Sequence, residues 1–122
     1  MISGSFRDAL GEELLAMGQA HDSLVVVTPD LAKAVRIMDY KKCFPERFIT
    51  TGISEADCVT VAAGLAATGL TPIVVAFAMF AVVKPYEQIR NAIAYPNLNV
   101  KIFATHGGLC VGRDGATHQA IA

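Results

Sequence analysis

LVVVTPDL, residues 24–31, is the stretch that decides the fold. Its first four residues are apolar without a break. A strand with one wet face alternates apolar and polar residues, whereas a strand buried on both faces reads as a continuous apolar run. The Thr-Pro-Asp that follows is a polar turn at the carboxyl end. The run is therefore read as a buried parallel strand, and a strand covered on both sides requires helices around it. Residues 5–20 supply the first, with Phe6, Ala9, Leu10, Leu14 and Met17 at helical spacing and Ser5 or Ser3 to cap it.

Working outward, residues 31–41 are expected to form a short helix. FPERFITTGI (44–53) holds a turn and a second short strand. EADCVTVAAGLAATG (55–69) reads as a helix stopped by Gly69, with Ser54 as cap and Asp57 completing a box-like pair. PIVVAFAMF (72–80) is a third strand, about Pro85 to Tyr95 a further helix with Pro85 in its first turn, and NVKIFATH (99–106) a fourth strand. Strands alternating with helices predict the α/β class: a mostly parallel sheet with helices on both faces. In such sheets ligands bind outside the carboxyl ends of the strands. Pro29-Asp30, Phe77 to Phe80 and Thr105-His106 onward fall at those ends, and Gly52-Ile53-Ser54-Glu55 lies between a strand and a helix.

Composition narrows the function classes. The chain has 122 residues, enough for one domain, and 53% of them are hydrophobic, which suits a packed core rather than disorder. A net charge of −1 offers no basic footprint for nucleic acid or anionic lipid. No apolar run reaches the roughly 18 residues of a membrane span. Cys43, Cys58 and Cys110 form neither a zinc pattern nor a disulfide framework, so free thiols in a reducing cytoplasm are expected. Cys58 is read as a buried structural thiol. The apolar content and the small residues Ala62, Ala63, Gly64, Ala66 and Ala67 predict a close helix neighbour and an obligate subunit interface.

Three clusters carry chemistry. Glu55 opens a helix, where an acid either serves the helix dipole or serves a site. Phe77 and Phe80 stand three apart, either as core or as two rings around a flat ligand. ATHGGLCVGRDGATHQ (104–119) sets His106, Asp114 and His118 among four glycines. Glycine lets a ligand approach the backbone, and histidine donates to oxygen and exchanges protons near neutral pH. The spacing lacks a tight metal-ligand pattern, and no metal ligand is assigned. A phosphate cradle fits less well, because the P-loop order of lysine and hydroxyl is missing.

GISEADCVTVAAGLAATG (52–69) resembles the glutamate-bearing segment of the transketolase family. FAMFAVVKPYEQIRNAIAYPNLNVKIFATHGGLCVGRDGATHQ resembles the segment that follows it there, and Asp30 in VTPDL matches an acidic position before it. The resemblance runs from about Phe6 to Gln119. It implies the pyrimidine-binding domain of a thiamine diphosphate enzyme, and looks most like the C-terminal subunit of a split transketolase. On that resemblance Glu55 is the catalytic glutamate that hydrogen-bonds the aminopyrimidine ring nitrogen, Phe77 and Phe80 are the aromatic wall, and Asp30 is a further cofactor contact. His106, Asp114 and His118 are implied to bind substrate, with His118 also catalytic. Val83 falls where some relatives carry a third aromatic residue.

The implied reaction is transfer of a two-carbon ketol unit between sugar phosphates, as in pentose phosphate metabolism. The family's Gly-Asp-Gly segment for diphosphate and Mg2+ does not occur here, so a diphosphate-binding N-terminal subunit is the implied partner, in a homodimer or heterotetramer. Residues 1–122 are expected to form one domain, incomplete at its C-terminal end. Arg113, Lys84-Pro85 and Ala56-Asp57 depart from the family pattern and bear on substrate identity. A 1-deoxyxylulose-5-phosphate synthase shares the glutamate and the Thr-His-Gln loop and is the alternative. The β subunit of 2-oxo acid dehydrogenases shares only the glutamate helix. A truncated, non-catalytic dimerisation module is the reading from a different class.

Overall fold

A computed structural model of the chain describes residues 4–109 and 111–121, so Cys110 lies outside the described residues. Strands β1 (Leu24–Thr28), β2 (Phe48–Thr50), β3 (Thr71–Phe77) and β4 (Lys101–Thr105) form one sheet in the order β2-β1-β3-β4. Every pairing is parallel, with Val26 opposite both Phe48 and Ile73, and Val74 opposite both Val27 and Ile102.

The two-residue period of the strands sends alternate side chains to opposite faces. Leu24, Val26, Ile73, Val75 and Phe77 pack with Leu10 and Leu14 of helix α1 (Phe6–Ala20) and with Val35, Ile37 and Tyr40. Tyr40 belongs to helix α2 (Met38–Cys43), and its buried hydroxyl donates to the Leu24 carbonyl at 2.9 Å. Val25, Val27 and Val74 face the other way, onto Cys58 and Ala62 of helix α3 (Glu55–Ala67). Both faces are thus covered, as the unbroken apolar run at β1 requires. The β1–β2 connection carries α2 on one face and the β2–β3 connection carries α3 on the opposite face. The chain therefore winds in two directions from β1, and the switch point lies between the carboxyl ends of β1 and β3.

Several boundaries differ from the sequence reading. The first strand closes at Thr28, before Pro29, and Thr28 Oγ1 donates to the Val75 carbonyl at 2.9 Å. The expected helix over 31–41 is displaced to Met38–Cys43, because Arg36 takes a left-handed φ of 60° that no helix accommodates. The third strand ends at Phe77, not Phe80. From Ala78 the backbone is already helical, and Pro85 falls inside the segment rather than at its start. Proline has no N–H for the helical ladder. The segment is accordingly irregular, with π-helical turns at Met79–Val83 and Ile89–Ala94 on either side of a short α turn, Tyr86–Gln88.

Ser5 caps α1 as expected, accepting from the Arg7 amide at 3.3 Å. Ser54 does not cap α3. It makes no side-chain cap hydrogen bond, so the box with Asp57 does not form. Cys58 is fully buried, and burial is the main cause that pushes its thiol up to about 12, against a smaller lowering by a hydrogen bond with Thr51. It is a structural thiol, not a thiolate. Within the chain, Val59 and Ala63 of the small-residue helix pack on Ile93 of the 79–94 segment. Gly64, by contrast, has no atom within 4 Å of where its Cβ would stand.

The tightest approach is at Gly11 of α1. A Cβ there would collide with the Arg36 carbonyl oxygen, a backbone atom. Gly11→Ala is expected to destabilise the fold by about 1–3 kcal/mol, the usual scale of overpacking. Urea unfolding measures this, and an unchanged midpoint would show that the loop carrying Arg36 yields freely.

Candidate functional site

Glu55 stands at the first position of α3 and is only 6% exposed. A buried carboxylate is costly unless it is paired. The partner comes from across the switch-point cleft: Lys84 Nζ donates to Glu55 Oε2. The same ammonium lies 5.3 Å from the centroid of the Phe80 ring, a cation–π distance. Lys84 stands directly after the π-helical turn Met79–Val83 and before Pro85.

Phe77 and Phe80 form the wall beside this pair. Because β3 gives way to helix at Ala78, the two rings do not diverge to opposite sheet faces. They stack, with centroids 6.4 Å apart and planes 19° apart. Pro29, Asp30, Leu31, Ile53, Glu55, Phe77, Phe80, Lys84 and His118 enclose a cleft of about 260 Å3. Asp30 is exposed on its rim at a left-handed φ of 59°.

The glycine-rich loop folds back on the same wall. Gly108 and Ala120 exchange backbone hydrogen bonds of 3.1 and 3.2 Å, which closes the loop at its base. Between them Gly112–His118 winds in 3-10 turns, kinked at Gly115 with φ 69° and ψ −156°, a conformation open in practice only to glycine. The loop sets His118 edge-on to Phe80 at 4.9 Å between ring centroids. His118 Nδ1 shares a hydrogen bond of 2.9 Å with Thr117 Oγ1. His106 packs on the Phe77 ring at 3.9 Å and shares a 2.8 Å hydrogen bond with Thr105 Oγ1 through Nδ1.

The structure thus gathers Asp30, Glu55, Phe77, Phe80 and His118 on one cleft. His106 lies against its wall but opens onto a second cavity of about 400 Å3, shared with Phe6, Arg7, Thr105 and Gly112. Asp114 is exposed and lines neither space. It acts at a distance: burial and then the Arg7 charge lower the His106 pKa, and Asp114 raises it. Sequence reasoning missed Arg7 altogether, since it belongs to no motif and reaches the site only through the placement of α1. Lys84 was legible only as a departure from a family pattern.

A histidine held below its ordinary value binds fewer protons folded than unfolded. The stability it supplies is present above that ordinary value and is lost as pH falls through it towards the folded one. Urea midpoints should drop between about pH 7.5 and pH 5.5, and His106→Gln should shrink that drop. An equal drop in the variant would assign the pH dependence to other groups.

The family profile described as transketolase, pyrimidine binding domain, matches residues 3–122. The chain belongs to that family. A protein of Methanocaldococcus jannaschii, provisionally designated a transketolase C-terminal section, is 46% identical over 93% of this pyrimidine-binding domain and 36% of its own length. The 1-deoxy-D-xylulose-5-phosphate synthase of Clostridium perfringens strain SM101 is 34% identical over 96% of the domain and 19% of its own length. Among solved structures, a split gene transketolase described as an inactive β4 tetramer superposes with a TM-score of 0.80 at 47% identity, over 94% of this chain and 36% of that one. The transketolase of Campylobacter jejuni gives a TM-score of 0.83 at 25% identity, over 93% and 18%. The domain therefore spans about a third or less of the length of these relatives. No described helix is long and apolar enough to cross a membrane.

Proposed function

We propose that the switch-point cleft takes the aminopyrimidine ring of thiamine diphosphate, and that the chain serves a transketolase-type transfer of a two-carbon ketol unit between sugar phosphates. One observation carries this reading: a buried, paired carboxylate opens onto a cleft walled by two stacked phenyl rings, within a transketolase pyrimidine-binding domain. The donor set fits such a ring. Glu55 offers a carboxylate oxygen to a ring nitrogen, and the Phe77 and Phe80 faces offer apolar area to a flat heterocycle. When bound, thiamine diphosphate supplies the stabilisation of carbanion charge that no amino-acid side chain provides.

The chain's own residues then divide the remaining work. Glu55 shares a proton with the ring nitrogen and orients the ring. Asp30 contributes a polar contact at the cleft rim. His118, edge-on to Phe80 in the cleft lining, hydrogen-bonds a substrate oxygen near the reacting carbons. His106 and Arg7 flank the second cavity, where a guanidinium and an imidazole suit the phosphate end of a sugar phosphate. Asp114, exposed beside the kink at Gly115, is the substrate-hydroxyl contact that the family resemblance implies. The diphosphate and Mg2+ are held mainly by a diphosphate-binding N-terminal subunit or domain. Ile53, Val82, Val83 and Tyr86 are exposed around the cleft, which supports burial of this side in a homodimer or heterotetramer.

The full polypeptide, purified by itself, is expected to lack ketol transfer, and transfer should appear when the diphosphate-binding partner is added with thiamine diphosphate and Mg2+. The inactive tetramer of the split gene relative supports this expectation. A second reading is favoured by the synthase relatives at about a third identity. Assay with pyruvate and glyceraldehyde 3-phosphate, beside a ketose phosphate donor, separates the two. Transfer by the chain alone would contradict the division of labour, and activity with neither donor would leave the dimerisation module as the better account.

A further inference from the structure

Glu55 needs a partner, and the one it has is unusual in kind. The carboxylate is nearly sealed, whereas Lys84 is about half exposed and comes from 29 residues further along the chain. Lys84 bonds Oε2, and no described residue donates to Oε1. No buried side-chain oxygen or nitrogen among the described residues lacks a partner, so Oε1 is not orphaned in the core, and the surface that Glu55 keeps lines the cleft. The ammonium is fixed on a second side by the Phe80 ring. A lysine held by an anion and an aromatic face is restricted in its rotamers, and its bond favours one rotation of the carboxylate.

We propose that Lys84 is a positioning residue: it holds Glu55 by Oε2 so that Oε1 faces a ring nitrogen lying against Phe77 and Phe80. This rests on the reading that the cleft receives an aminopyrimidine. It goes beyond that reading in assigning Lys84, at the break before Pro85, to recognition of the ring. The alternative geometry has Lys84 as a plug that competes with the ligand for Glu55. The two predict opposite effects of removing the ammonium.

The test is calorimetric titration of thiamine diphosphate with Mg2+ into the complex of the full polypeptide and its diphosphate-binding partner. Glu55→Gln, Lys84→Met, Lys84→Arg and the double variant Glu55→Gln/Lys84→Met are compared, and thermal melting checks each fold. Lys84→Met should weaken binding by about tenfold, the scale of coupling between directly bonded side chains. Lys84→Arg should restore most of the affinity, and Lys84→Met should add little to Glu55→Gln in the double variant. Restoration by arginine separates positioning from loss of fold, and remains informative if Lys84→Met melts early. Unchanged or tighter binding by Lys84→Met, with Glu55→Gln still weakened, would overturn the proposal and leave the cleft assignment standing. Unchanged binding by Glu55→Gln would overturn the cleft assignment, and the role of Lys84 with it.

Discussion

Glu55→Gln is expected to leave the fold intact and to slow hydrogen exchange at the reactive carbon of bound thiamine diphosphate by about 10²–10⁴-fold, the usual contribution of a positioned acid–base group. Glutamine keeps the size and the hydrogen-bonding reach of the side chain at the head of α3. It cannot share a proton with a ring nitrogen, and it leaves Lys84 without its anion. Lys84 is half exposed, so its ammonium turns to water at modest cost, whereas the carboxylate it abandons is gone. Circular dichroism and melting establish the fold, and proton exchange followed by NMR in the assembled complex establishes the chemistry. Undiminished exchange would remove Glu55 from the mechanism.

The second large effect is expected at His118. Its Nδ1 is engaged with Thr117 Oγ1, which leaves Nε2 for a substrate oxygen. His118→Ala should lower kcat by about 10²–10³-fold, corresponding to about 2.7–4 kcal/mol for a hydrogen bond that serves the transition state. Cofactor affinity should change little, because Glu55, Phe77, Phe80 and Lys84 keep their side chains and what the wall loses is the edge contacts of His118 with Phe80 and Phe77. Calorimetry beside steady-state kinetics separates the two. An equal loss in cofactor affinity would make His118 a wall of the cleft and not a substrate contact.

Much of this site is legible in the sequence because topology places it. The continuous apolar runs of β1 and β3 announce a doubly covered parallel sheet, and such a sheet concentrates its loops at one end. Glu55, Phe77, Phe80 and the histidines then fall together without any knowledge of distances. What escaped the sequence depends on where separate segments meet. Phe77 and Phe80 share a face only because β3 ends at Phe77, and no propensity distinguishes that end from one three residues later. The irregular turns around Pro85 follow from a missing amide, but the meeting of Lys84 with Glu55 is a tertiary outcome. Ser54 has the composition of a cap and does not act as one: at φ −149° and ψ 83° it makes no side-chain cap hydrogen bond. Asp114 reads as a site residue by its company in the loop, yet the kink at Gly115 leaves it exposed. Arg7 approaches His106 through the docking of α1, which is set by Leu10 and Leu14 rather than by anything near the arginine.

The central claim is that the cleft between the ends of β1 and β3 seats an aminopyrimidine on Glu55. A crystal structure of the assembled complex with thiamine diphosphate and Mg2+ tests it most directly. The account predicts a ring nitrogen within about 2.6–3.2 Å of a Glu55 carboxylate oxygen, with the ring against Phe77 and Phe80 and Lys84 still on Oε2. Density for the pyrimidine elsewhere, with Glu55 bonded only to Lys84, would contradict it.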